Sequence, residues 1–567
     1  MDFDVEDELL QVPAKFLQAP TLRYDGTTKT PTLGQWNLRE GTQSVVKFQQ
    51  KGSLRRIHVL ELPGGLPNCT ASEAHQALYD QLRGHGLALD PKITGPRIHY
   101  DRDSDADPSE DVAEFETNHV AVTANQLRRR AKQKPGDIPR DPDNLWYIRK
   151  FLNLILTSSS DCGLVVIPKK DYNLYAAAKR LADFSGRKLS FAIGSKFMRN
   201  GRFDDQFLSN LALKITLKMG GETHYLDSSG LSKCFNTGDK NIKRVKERTV
   251  VLGADVGHGG IGSRPGSPSV ACVVGSVDSN MMRYPGSMRL QAGGQEIIET
   301  AELCSMVQER LRDWSEENNG AWPENMLFYR DGVSESQFAA CKAKEIPAIK
   351  DAYKKLTKRD LKLTFVICGK RHNTRFYAMK KEDTYGEKFK IDGDFKEMSN
   401  GNLKPGLIVT DVITNKSPPN FFLQSHRAIK GTARSAHYHI LEDGMGLKVH
   451  WISQITMQLC YAFCRATTGV SYVAPAYIAD RMCERGRNYL RAWSLSPEME
   501  PKFDPQPKKD HKGRPERMTR ELLDKKKQEF AEELMQNTEI WGKNASAAGS
   551  KNPWSKSFSD EKGMFWL

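Results

Sequence analysis

Four strand-length runs in the second half of the chain, VVLGAD (250–255), VACVVGSV (270–277), MLFYRD (326–331) and LTFVICG (363–369), are apolar almost throughout, with helical patterns between them. After VACVVGSV comes a shorter strand-like piece, MRLQAG. Ile297, Ala301, Cys304, Val307, Leu311 and Trp314 then recur at helical spacing until Asn318, Asn319 and Gly320 end the run. The segment SQFAACKAKEIPAIKDAYKKL supplies a second helix between MLFYRD and LTFVICG. Strands alternating with helices pack as helices over a sheet, so the expected class is α/β.

The alternation begins earlier in the chain. RRIHVLELP, from Arg55, reads as a strand and SEAHQALYDQLRGHG as a helix closed by glycine; LWYIRKFLN and the residues after it, as far as DFSG, read as helix, strand, helix. This predicts an open α/β unit over 53–232. Residues 1–52 carry Pro13, Pro20, Gly26, Pro31 and Gly34 among short polar stretches, the composition of a linker that packs on something else. In the remainder, 233–567, three strands, a helix, a strand, a helix and a strand follow the element order of the ribonuclease H fold. Two helical stretches come next, ISQITMQLCYAFCRATT and PAYIADRMCERGRNYLRAW, then a charged loop (500–517), a helix over 518–536 and the apolar tail MFWL. The acidic stretch 101–116 is expected to be an exposed loop.

Lys and Arg number 84 against 70 Asp and Glu, a net charge of +14 that favours an anionic partner such as nucleic acid. No apolar run approaches the roughly 18 residues that would span a bilayer, so no membrane association is expected. The acidic N-terminus MDFDVEDELL lacks the pattern of a secretory signal, which predicts a cytoplasmic or also nuclear protein. Ten scattered cysteines, without paired CxxC motifs, read as reduced buried thiols.

Asp255 and Asp331 each close an apolar strand. In open sheets the carboxyl ends of strands face the ligand crevice. Two carboxylates on adjacent strands repel, and a pair of divalent cations relieves that repulsion while creating a phosphodiester-cleaving centre. Each aspartate by itself would also serve as an ordinary turn cap, as in Asp331-Gly332. The second constellation is basic: Tyr175 and Lys179 lie four apart on a helix, and Lys214 and Lys218 are also four apart, sharing a face in helix or strand. Lysine pairs on a helix are commonly plain solvated surface.

The segments LGADVGHGGIGSRPGSPSVACVVGSVD, MLFYRDGVSESQF, LTFVICGKRHNTRFY, NFFLQSHRAIKGTARSAHYHIL and VAPAYIADRMCERGRNYL resemble, in order and spacing, the Piwi domain of eukaryotic Argonautes. VPAKFLQAPTLRYDG with LGQWNLR is similar to the second linker of that family, and 53–232 is similar to its MID domain. The likeness is nearest to the quelling-type Argonautes of filamentous fungi. It implies a linker over 1–52, a Rossmann-like MID domain over 53–232 and a ribonuclease H-like PIWI domain over 233–567.

By position, the resemblance makes Asp255, Asp331 and Asp480 ligands of two Mg²⁺ (or Mn²⁺) ions, with Glu296 completing a catalytic Asp-Glu-Asp-Asp set. Many relatives have histidine where Asp480 stands, and a carboxylate there suits a hard cation equally well. Taken alone, Glu296 would read as a solvated acid in the first turn of a helix. His258 follows the family histidine, although Gly257 and Gly259 replace the usual Thr and Pro. Tyr175, Lys179, Lys214, Lys218 and Arg485 match the pocket for a guide 5′-phosphate, with Ser190 standing where the family has glutamine. Arg485 lies five residues after Asp480, so the two point about 140° apart around one helix and can face two different sites. Lys370, Arg371, Arg375, His426, Arg434, Arg465, Ser471 and Tyr477 match positions that grip the guide backbone without reading sequence; His372 belongs to the same basic loop.

The resemblance implies a guide-RNA-directed endoribonuclease, or slicer, with a 5′-phosphorylated small guide RNA, a complementary target RNA and silencing-complex proteins as partners. A non-cleaving guide-binding silencing protein is the alternative, and an unguided ribonuclease H-like nuclease or integrase would leave the lysines unused. The family's N-terminal and PAZ domains have no counterpart here, so a fragment, a truncated gene model or a naturally shortened form is expected.

Overall fold

The computed structural model describes residues 8–40, 44–91, 121–124, 127, 144–259, 267–391, 394–494, 525, 529, 564 and 566. The acidic stretch 101–116, the charged loop 500–517 and nearly all of the helix expected over 518–536 lie outside them.

The first half holds a parallel sheet. Its strands, in chain order, are β1 (Arg56–Glu61), β2 (Ala121–Thr123), β3 (Asp161–Ile167) and β4 (Lys188–Ile193), arranged spatially as β2-β1-β3-β4. Helices α1 (Ala71–Gly84), α2 (Asn144–Leu154), α3 (Tyr172–Phe184) and α4 (Asp205–Lys218) belong to the same unit. Their starts are encoded locally. Thr70 and Glu73 form a reciprocal capping box on α1, while Asp171 and Asp204 accept the first free N–H groups of α3 and α4.

The second half is built on β5 (Thr249–Gly257), β6 (Ser269–Gly275), β7 (Gly286–Gln291), α5 (Thr300–Glu317), β8 (Asn325–Asp331), α6 (Ile346–Thr357) and β9 (Lys362–Gly369), the predicted order. The sheet continues through β10 (Leu407–Val409), β11 (Asn420–Gln424) and β12 (Ala436–Asp443). Its spatial order is β10-β11-β12-β9-β8-β5-β6-β7, with Lys15–Phe16 added at the β10 edge. β5, β8 and β9 run parallel and the rest antiparallel. One face packs on α5 and α6; the other carries α7 (Lys448–Leu459) and α8 (Ala474–Ser494). The chain is therefore α/β, with a ribonuclease H-like mixed sheet.

The early segment does pack on other elements. Leu22–Tyr24 pairs with Tyr225–Leu226, and Lys15–Phe16 with Leu407–Ile408. One expectation fails: the pattern 452–468 is not one helix, because α7 stops at Leu459. The chain then folds back so that Val470 N–H reaches the Cys460 carbonyl, and His224 and Thr223 bond the carbonyls of Tyr461 and Cys464. Apolar periodicity persisted past the end of the helix because this turn is itself buried. Among the described residues, no helix is long and apolar enough to cross a membrane.

Candidate acidic centre and basic pocket

Ala254 of β5 stands beside Arg330 of β8 in parallel register, so the next residues, Asp255 and Asp331, leave adjacent strands at the same level. The third carboxylate arrives on α8. Gly253 permits this, since a Cβ there would lie 2.2 Å from the Pro475 carbonyl; only glycine lets the first turn of α8 rest on β5. Further along the helix, Cys483 Sγ donates to the Asp255 carbonyl at 3.4 Å. Asp480 thereby joins Asp255 and Asp331 in one electrostatic cluster.

Glu296 enters the same cluster instead of the helix turn that its surroundings suggested. It precedes α5, and its carboxylate is mostly buried. His258 Nε2 lies 2.9 Å from one oxygen and Arg330 Nη1 3.0 Å from the other, while His258 Nδ1 meets Ser269 Oγ at 2.8 Å. Arg330 is fully buried and also pairs with Glu345 at 3.2 Å. Gly332, at φ +92°, leaves room for this approach: a Cβ there would lie 2.6 Å from Glu296 Oε1 and 3.4 Å from Asp255 Oδ1. The Gly257 and Gly259 replacements therefore leave His258 able to reach Glu296.

The charges at this centre are poorly compensated. Burial, then the negative charges of Asp331 and Asp480, hold Asp255 well above the usual carboxylate range. Burial pushes Asp331 up to about 6; the Gly332 N–H bond offsets part of this and the Asp480 charge adds to it. Arg481 pairs with Asp480, its Nε 3.1 Å away. An all-oxygen cluster carrying excess negative charge suits hard divalent cations. The donor set present therefore fits Mg²⁺ or Mn²⁺.

At the other side of α8, Arg485 is 3% exposed, bonding Asp183 of α3 and the Trp566 carbonyl, each at 2.9 Å. Tyr489 donates to the same Asp183 carboxylate. Lys179 and Lys218, at 2% and 4% exposed, lie within electrostatic reach of Arg485 and Arg465. Burial, then neighbouring cations, hold both lysines well below the usual ammonium range despite Asp183. Lys179 Nζ donates to the Leu189 carbonyl and lies 5.5 Å from the Tyr175 and Phe191 rings. Lys214 falls to about 8, through burial first and then Arg465 and Lys196. Buried Ser190 Oγ has no hydrogen-bond partner among the described residues.

The remaining basic positions separate into groups. Arg465, expected along the guide backbone, belongs to the lysine pocket. Lys370 lies over the Tyr472 ring at 5.7 Å, close enough to Asp331 to feel its charge; burial brings it to about 8. Arg375 spends its guanidinium on the carbonyls of His372 and Thr374, at 3.0 and 2.7 Å. Burial, then Lys370, lowers His426 to about 3, so it is a neutral ring. Arg371 and Arg434 are exposed, whereas Ser471, just before α8, and Tyr477, in its first turn, are half-buried, Tyr477 under Arg481 at 5.1 Å. Sequence reading missed Arg330, Asp183, Lys196 and Tyr472. The first two are charged residues made internal by packing, for which the local sequence carries no signal.

The Piwi domain family matches residues 162–491, more than half of the chain. The chain belongs to the Argonaute family. Among curated Argonautes, protein argonaute 18 of Oryza sativa subsp. japonica is 34% identical over 86% of this chain and 40% of its own length. Protein argonaute 1C of the same plant is 29% identical over 86% of this chain and 44% of its own. The chain thus spans less than half the length of these relatives. By fold, it resembles the C-terminal lobe of a budding yeast Argonaute (TM-score 0.66, 24% identity, 86% of this chain and 90% of that one). It also resembles Kluyveromyces polysporus Argonaute solved with a guide RNA (TM-score 0.67, 23% identity, 87% of this chain and 55% of that one).

Proposed function

We propose that this Argonaute chain is a guide-RNA-directed endoribonuclease that anchors a 5′-phosphorylated small RNA and cuts complementary target RNA. The observation that carries the reading is α8, which presents Asp480 to the strand-end aspartates and Arg485 to a buried lysine pocket. Lys179, Lys214, Lys218, Arg465 and Arg485 are an excess of desolvated cations that a terminal phosphate dianion would neutralise, with Tyr175 beside it for the first base. Arg371, Arg434 and Lys370 would then meet backbone phosphates, leaving sequence to base pairing.

Asp255, Asp331 and Asp480, with Glu296, would hold two divalent ions, which when bound activate a water and stabilise the leaving oxyanion. The chain's own contribution is placement. β5, β8 and α8 fix three carboxylates, while Arg330 and His258 hold the fourth in the crevice and leave it little freedom to swing out. The domain division at 52 and 232, a cytoplasmic or nuclear site of action and association with silencing-complex proteins belong to this same reading.

Arg481 favours a second reading, because its pairing with Asp480 partly neutralises the third carboxylate. A chain in which that pair persisted would bind guide and silence without cutting. The deciding experiment loads the chain with a 5′-phosphorylated guide and supplies a matched RNA in Mg²⁺. Cleavage that needs the guide, its phosphate and the metal supports the endoribonuclease. Phosphate-dependent binding without cleavage supports the second reading, and cleavage without a guide refutes both.

A further inference from the structure

Strand register separates a second cluster from the acidic centre. His439 and His437 of β12 stand opposite Ile367 and Gly369 of β9, and two residues apart they share one face of the strand. Ile367 belongs to the core beneath α5 and α6, whereas Cys368 and Tyr438, the next pair, belong to the core beneath α8. The two imidazoles therefore occupy the sheet face opposite α8. Glu335, at the start of the turn that follows Asp331-Gly332, comes down onto them.

Among the described residues, Glu335, His437 and His439 are the three metal-type donors whose ligating atoms all lie within 4.8 Å of one another. His439 is 5% exposed, and its Nε2 lies 3.8 Å from Glu335 Oε1. That is too long for a hydrogen bond, yet close to the spacing of two ligands around one ion. Among the described residues, buried His437 Nε2 has no hydrogen-bond partner, and its ring stacks on Phe422 with centroids 3.8 Å apart. The His439 ring is 3.9 Å from that of His437 and meets the edge of Phe338 at 4.9 Å. Aromatic walls fix the orientation of both imidazoles, while Glu335 remains at the surface, where solvent has access.

We propose that Glu335, His437 and His439 form a Zn²⁺ site with a solvent molecule in the fourth position. Two imidazole nitrogens and one carboxylate suit a borderline transition metal, whereas Mg²⁺ prefers oxygen throughout, so this site and the aspartate cluster select different ions. Burial lowers both rings from the ordinary histidine value, which favours the neutral form that ligates. The bound ion would tie the turn after Asp331 to β12, bracing from behind the strand end that carries that aspartate.

The test uses the full chain, stripped with a chelator and then titrated with Zn²⁺ against a chromogenic competitor, with Co²⁺ as a spectroscopic probe. A single Zn²⁺ should be retained per chain, and Co²⁺ should give visible bands with nitrogen ligation. Glu335→Gln, at an exposed position that should not disturb folding, should weaken Zn²⁺ by at least the roughly tenfold that even an indirect partner costs. His437→Gln should do the same. Asp255→Ala should leave Zn²⁺ binding unchanged. Zn²⁺ held as tightly by Glu335→Gln as by wild type, loss of the ion in Asp255→Ala, or failure of the stripped wild-type chain to bind Zn²⁺ at all would overturn the assignment.

Discussion

At the acidic centre, Asp255, Asp331, Asp480 and Glu296 are gathered with Arg330, Arg481 and Lys370 as the cations nearest to them, whereas in the pocket Lys179, Lys218 and Arg485 gather around Asp183, with Arg465 and Lys214 beyond them. The compensation differs in kind. Arg330 is locked between Glu296 and Glu345, so it is a structural pin, while Asp183 is shared by Arg485 and Tyr489 and pins the pocket's own cation. At an effective dielectric near 20, like charges about 5 Å apart repel by about 3 kcal/mol. Both regions thus store repulsion that a ligand of opposite charge relieves. They differ in how the charges are carried: two strand ends meet a helix and a loop in the first, whereas three helices and the turn after α7 converge in the second.

A double dissociation should separate the two regions. Asp255→Ala or Asp331→Ala should lower the target-cleavage rate by at least about 10²–10³ while changing guide affinity little. Lys179→Ala with Lys218→Ala should do the reverse, weakening 5′-phosphorylated guides toward the affinity of 5′-hydroxyl ones. Single-turnover cleavage and filter binding measure the two effects. A common loss in both assays from either substitution would show that the regions are one site.

Next in size is Arg485→Met. It removes the ion pair from buried Asp183 and leaves Tyr489 as its hydrogen-bond donor, which should cost about 1.5–3 kcal/mol in denaturant unfolding. Adding Asp183→Asn should recover most of that stability without restoring the preference for a 5′-phosphate. Full recovery of both would assign Arg485 a purely structural role.

A smaller effect concerns pH. Lys214, at about 8, carries its charge below that value and loses it above. The advantage of 5′-phosphate over 5′-hydroxyl guides should therefore shrink as pH rises from 7 to 9.5, and Lys214→Arg should flatten the profile. In the guide-free chain the sign of the stability effect is opposite. Between about 8 and the ordinary lysine value the unfolded state binds more protons, so Lys214 adds stability as pH rises. An advantage that is constant across this range would remove Lys214 from the phosphate contact.

The smallest effect tests Ser190. Its buried hydroxyl has no partner among the described residues, so Ser190→Ala should not lower stability. If the hydroxyl serves the guide, the same change should cost about 1 kcal/mol of binding, roughly fivefold in affinity. Unchanged affinity would exclude Ser190 from the pocket.

The strand order, the two strand-end aspartates and the helix with Asp480 and Arg485 were legible because apolar runs and helical periodicity are local properties. What escaped reading depended on distant packing. Arg330 and Asp183 are surface residues by composition and become internal only when α6 and α8 close over them. The end of α7 at Leu459 was hidden because the turn after it is as buried as the helix. Glu296 resembled a helix-start acid, and its inward turn depends on His258, just past the end of β5, and Arg330 of β8.

The helix that serves both regions has a consequence for insertions and deletions. Between Asp480 and Arg485 there is no loop to absorb a change in length, so one added residue would rotate Arg485 by about 100° and advance it about 1.5 Å relative to Asp480. Its guanidinium would leave Asp183, or Asp480 would leave the strand ends, whichever packing gave way. The length of this stretch cannot vary without uncoupling the two sites. An alanine inserted after Cys483 should therefore cost one function completely, where the same insertion in a surface loop would cost neither.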